Sequence, residues 1–184
     1  MSLRQLPTWG NAGAAMIEFA IIAPIFCLLI AGMVDLGIVL ITKSRLDNAV
    51  SSASNYALVN ASNADSVNGA GLAGAIASIV SSSRGPGWAD SIVVVNNGPS
   101  AAIINGTPAL GGNPVDADSC YCPIGSPPDW TWGAAVPCGS DCPGGAMAGK
   151  FVTIRASRAF HTLFFNYGIV RDGAIATSAL VQVQ

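Results

Sequence analysis

Charge is what this chain has least of. Its 184 residues hold eight Lys or Arg and ten Asp or Glu, 10% of the total. The basic residues are scattered, so no cluster exists that could neutralise a phosphate backbone, and nucleic acid is excluded as a partner. Histidine is nearly missing as well. His161 stands alone, with no paired Ser, Cys or carboxylate motif beside it, which leaves serine-type hydrolysis unsupported and His161 a structural or exposed residue. No C-x-x-C is present for thiol redox chemistry, and the Gly-rich pieces "GGNP" and "PGGAMAGK" lack the residue order of a phosphate-binding loop. Asp116, Asp118, Asp129 and Asp141 do not follow the spacing of a calcium loop. No internal repeat, catalytic constellation, cofactor or metal is expected.

Apolar residues fill the space that charge leaves: 51% of the chain is hydrophobic, which directs attention to a membrane segment. From Phe19 to Val34 there is no charged side chain, and from Phe19 to Thr42 only Asp35. A helix needs roughly 20 apolar residues to cross a bilayer, so residues 19–42 read as a single span. Asp35 lies about 24 Å along the axis from Phe19 at 1.5 Å per residue, which puts it among the far headgroups. Pro24 removes one backbone hydrogen bond and predicts a kink. Cys27, within the run, reads as a small buried apolar residue. Leu46, Ala49, Val50, Ala53 and Ala57 continue at helical spacing, so the helix is expected to leave the membrane as a stalk reaching residue 59. The run is too long for a secretory signal and has no A-x-A pattern at its exit.

Ahead of the span stand Gly13 and, five residues later, Glu18, followed directly by Phe19. This resembles the prepilin signature, in which a short leader ends in Gly and a carboxylate occupies the fifth mature position. The stretch "GAAMIEFAIIAP" from Gly13 to Pro24, followed by "RLDNA" in the stalk, is similar to the TadE-like family of minor pilins or pseudopilins of the tight-adherence (Tad) pilus, over roughly residues 10–58. The resemblance implies a leader of residues 1–13 removed by a prepilin peptidase, a helix over 14–59, and an exported domain over 60–184. It further implies that the new amino group of Ala14 pairs with Glu18 of a neighbouring subunit, with Phe19 alongside, as helices pass from inner-membrane lipid into a filament. The partners implied are other pilin subunits and the pilus-assembly platform, and the end point is the cell surface, with a role in adherence. The alternative is an unprocessed single-pass envelope binding protein that works through its cysteine loop.

Beyond the stalk the pattern predicts an α+β domain. Leu72, Ile76, Ile79 and Val80 recur at helical spacing, ending by "RGPG". "SIVVV" and "SAAII" flank Asn-Asn-Gly-Pro as in a hairpin. Residues 150–160 and 173–184 alternate as strands, completing a small antiparallel sheet packed on the stalk and second helix. Residues 107–149 are rich in Gly, Pro and Asp and read as a long loop. That loop contains Cys120, Cys122, Cys138 and Cys142. Four thiolates could hold zinc, but on the exported side of a membrane an even count reads as disulfides. A bridge within "CYC" would strain, so bridges between the two pairs are expected, in either of two pairings. Each would contribute about 3 kcal/mol. Trp130 and Trp132 in the same loop are candidates for a contact surface or for packing against the bridges.

Overall fold

The computed structural model describes residues 12–126, 128–163 and 168–184. Residues 1–11 of the expected leader lie outside this range. The chain begins with a 48-residue helix, α1 (Ala12–Val59), which contains Pro24 and spans about 70 Å at 1.5 Å per residue. From Asp35 onward it buries one seam: Asp35, Val39, Thr42, Leu46, Ala49, Val50, Ala53 and Ala57. These positions are three or four apart, the spacing that keeps side chains on one helix face. The sequence expectation began the seam at Leu46; it starts about three turns earlier, at Asp35.

The second helix, α2 (Gly69–Ser81), lays Leu72, Ala73, Ile76, Ala77 and Val80 into the same core. Asp65 sets its start, since one carboxylate oxygen accepts the backbone N–H groups of Val67 and Asn68 at 2.8 and 2.6 Å. Those hydrogen bonds, chiefly from Asn68, hold the Asp65 carboxyl below its ordinary pKa.

The sheet follows as β1 (Asp90–Val95), β2 (Ser100–Ile104), β3 (Thr107–Gly111), β6 (Phe151–Ala159) and β7 (Ala174–Gln182). Two short strands, β4 (Ile124–Ser126) and β5 (Asp129–Thr131), form a separate hairpin. All pairings in the main sheet are antiparallel, in the order β3-β2-β1-β6-β7. Val93, Val95, Val152, Ile154, Ala156 and Ile175 face the helices and are fully or nearly fully buried. This α+β arrangement is the one expected. Arg158, on the same alternation as Val152 and Ile154, escapes burial of its charge at the sheet's end: its guanidinium lies over Trp88, 4.9 Å from the ring centroid, and donates to the Trp88 carbonyl.

The stretch from residue 107 corrects the expectation of a continuous loop to residue 149. Asn105 and Gly106 take positive φ of 50° and 76°, the conformation of a two-residue hairpin turn, and this returns the chain as β3 along β2. "TPALG" hides as a strand because Pro108 and Gly111 have poor β propensity; both are tolerated at a sheet edge.

The two ends of the domain are fixed relative to α1. Lys150, just before β6, donates to the Ala64 carbonyl at 2.9 Å, placing the start of β6 at the upper, C-terminal end of α1. At the other end of β6 the chain runs down beside α1 to Asp35.

Candidate functional site

From Met16 to Val34 the surface of α1 is bare. Met16, Ile17, Phe19, Ile21, Ile22, Ile25, Phe26, Leu28, Leu29, Met33 and Val34 are each more than half exposed, and they point in every direction around the axis. A helix that is apolar all round and unpacked is unstable in water, whereas in lipid it needs no partner. Nineteen residues give about 28 Å, matching a hydrocarbon thickness of about 30 Å. Among the described residues this is the one helix long and apolar enough to cross a membrane, and only 11% of its most apolar stretch is buried, which distinguishes it from a core helix. Cys27 is free and exposed on this surface; it is not buried within the protein.

Glu18 is the one charged side chain on the bare segment and is exposed, one residue from Phe19 at 72% exposure. Gly13 and Ala14 belong to the first turn of α1. The structure thus puts the carboxylate at the lower lip of the apolar rod, about a turn above the Gly13–Ala14 bond.

Asp35, expected at the level of the far headgroups, is packed against the protein itself. It is 2% exposed and accepts the backbone N–H of Leu163 at 3.2 Å. A carboxylate facing hydrocarbon opposes insertion by about 2.5 to 3.5 kcal/mol; here Leu163 supplies a donor to it from within the protein. Periodicity could have revealed this, because Asp35 falls four residues before Val39 and seven before Thr42 on the buried face, but its charge suggested a boundary marker instead.

At the upper end, residues 112–149 form a lobe braced by Cys120–Cys138 and Cys122–Cys142, with Cα separations of 5.0 and 5.6 Å. Each cysteine of the first pair therefore joins its counterpart in the second, and the bridges interleave. Tyr121, between them in sequence, is 3% exposed. It exchanges backbone hydrogen bonds with Gly149 and donates its hydroxyl to the Asp116 carbonyl at 3.0 Å. Trp132 packs edge-on against Tyr121 with centroids 5.9 Å apart. Trp130 is half-buried in β5, its indole N–H buried without a partner.

The lobe is tied to the sheet by a residue that sequence reading passed over. Asn96 is fully buried at φ 49°. Its side-chain amide donates to the carbonyls of Ala117 and Ser119, at 2.8 and 2.5 Å, and its side-chain oxygen accepts from the Phe151 N–H at 3.2 Å. The only sequence signal was a turn-forming Asn-Asn-Gly. Gly98, in the same turn, is forced by close approach: a Cβ there would lie 2.7 Å from the Ala117 nitrogen.

A cleft of about 720 Å³ opens on the outer face of the sheet, between the β4–β5 hairpin and residues 168–172. Its lining carries charges of both signs: Lys43, Arg155 and Arg171 against Asp90 and Asp172. Several are already engaged: Lys43 with Asp47, Asp90 with the Asn105 N–H, and Arg155 at 4.0 Å from Asp129. Such internal compensation selects no ligand charge.

These features define a protein with one N-terminal helix suited to a membrane and an α+β domain stapled by two disulfides. Residues 13–54 match the family described as TadE-like protein, a match that covers the bare rod and most of the buried seam and falls within the stretch, roughly residues 10–58, that carries the resemblance in the sequence. Neither the curated proteins nor the solved structures provide a match.

Proposed function

We propose that this chain is a structural subunit, a minor pilin or pseudopilin, of a Tad-type pilus. The observation that carries the reading is the bare apolar rod of α1 with a single carboxylate, Glu18, at its lower lip, inside the segment that matches the TadE-like family. In this reading α1 anchors the chain in the bacterial inner membrane as a single pass, and the domain over 60–184 is exported, where oxidising conditions suit the two disulfides. A prepilin peptidase cuts after Gly13, and the new amino group of Ala14 becomes the partner for Glu18 of a neighbouring subunit. An unpaired carboxylate in the low dielectric of a helix bundle would cost several kcal/mol, so the pairing sets the register of assembly. Other pilins and the assembly platform are the partners, and the product contributes to pilus biogenesis and surface adherence. The role is structural rather than catalytic.

Glu18→Ala tests the pairing directly. The variant is expected to enter membranes as the wild type does, yet to be depleted from sheared pili. Wild-type incorporation into pili would remove the assembly role of Glu18.

A further inference from the structure

Leu163 does more than donate to Asp35. Residue 163 is pinned by its backbone N–H to the Asp35 carboxylate, immediately above Val34, where α1 stops being bare all round, although Ile38, Leu40 and Ile41 stay about half exposed on its other face. Its side chain is not used in that contact: Leu163 is 76% exposed, comparable to Met33 at 71% and Val34 at 54% on the facing level of α1. From Ala159 to Val170 the sequence carries no formal charge, and Arg171 and Asp172 follow only as the chain returns to β7. An exposed leucine on an uncharged loop, held at the depth where a lipid-facing helix emerges, has the placement of an interfacial anchor.

We propose that Leu163, positioned by Asp35, inserts into the boundary between headgroups and acyl chains of the bilayer that α1 crosses, giving the protein a second membrane contact. This rests on the reading of α1 as a membrane anchor. The occupant is lipid because the leucine continues the apolar surface of the rod at the same level, with no charged side chain of the loop between them. Asp35 acts as a positioning residue. By keeping its charge under the loop, it lets the loop lie at this depth, and the two contacts fix both the height and the rotation of the domain over the membrane.

The test uses the full chain reconstituted in vesicles of phosphatidylcholine and phosphatidylglycerol. An environment-sensitive dye is placed on native Cys27 or, in a Cys27→Ser background, on Leu163→Cys or Val67→Cys; Val67 is 83% exposed at the upper end of the domain. Lipids brominated near the carbonyl end of the acyl chain should quench the dye at position 163 at least threefold more than the dye at 67, with aqueous iodide showing the reverse order. Adding Asp35→Leu should cut the lipid quenching at 163 at least twofold, while Asp35→Asn, which keeps an acceptor oxygen, should preserve most of it. If Cys27 is quenched by lipid but position 163 behaves like position 67, the inference fails and the anchor stands. Protection of position 163 from both quenchers means a neighbouring protein covers it, which also overturns the inference. If Cys27 itself is open to iodide, the anchor reading fails first and the inference with it.

Discussion

The carboxylate of Asp35 and the backbone N–H of Leu163 meet at 3.2 Å across 128 positions of sequence. That contact lies where the buried seam of α1 begins, directly above a segment that is bare all round. Replacing Asp35 by Leu removes this acceptor, and a hydrogen bond of this kind contributes about 0.5 to 1.5 kcal/mol. Amide exchange at residue 163 should accelerate on the order of tenfold while exchange in β1 stays unchanged. Unchanged exchange at 163, measured by mass spectrometry in bicelles, would show that the contact holds nothing.

Asn96 is the joint between sheet and lobe. Asn96→Ala strips donors from two carbonyls and an acceptor from the Phe151 N–H, and it places an alanine at φ 49°. A loss of about 2 to 4 kcal/mol is expected in denaturant unfolding of the detergent-solubilised chain. A loss below about 0.5 kcal/mol would mean that water replaces the whole network.

The bridges close loops with sequence separations of 18 and 20. Removing one of them, as Cys120→Ala with Cys138→Ala, should cost about 3 kcal/mol and open residues 112–149 to proteolysis. The core of Val93, Ile154, Leu72 and Leu46 lies apart from the bridges, so far-UV circular dichroism should change little. A thermolysin pattern identical to wild type would show that the lobe is held by packing alone.

Acid should weaken the upper end of the domain. Asp118, through hydrogen bonding to Ser66, and Asp65, through hydrogen bonding to Asn68, have pKa values held below the ordinary 3.8. Each therefore stabilises the fold fully above that value, and the contribution is lost as pH falls below about 4 through the lower folded pKa. Melting temperature should be flat between about pH 7 and 5 and decline below about 4. Asp65→Asn should make that acid limb shallower; an unchanged limb would assign the acid sensitivity to other carboxylates.

The sequence made visible what repeats locally. The apolar run, the stalk positions from Leu46 to Ala57 and α2 follow from spacing, β1 and β2 from β-prone runs around a turn, β6 and β7 from their strand pattern, and the oxidised cysteines from their even count. What it concealed depends on distant partners. Asp35 looked like a boundary charge because only the fold brings residue 163 to it. Asn96 looked like a turn residue because its acceptors lie more than twenty positions away. β3 was obscured by Pro108, whose cost vanishes at an edge that propensity cannot see. Nor can spacing choose between two disulfide pairings of similar loop length, because the choice depends on where Tyr121 and Gly149 hold the chain.

The central claim is that α1 is a processed assembly helix whose first residue is Ala14, and the intact mass of the protein extracted from native membranes and from sheared pili tests it. Both samples should give the mass of residues 14–184, higher after reduction by two hydrogens for each of the two bridges. Gly13→Ala is expected to yield the heavier, uncut chain in membranes and little in pili. A wild-type protein that keeps residues 1–13 in the assembled pilus would contradict the account.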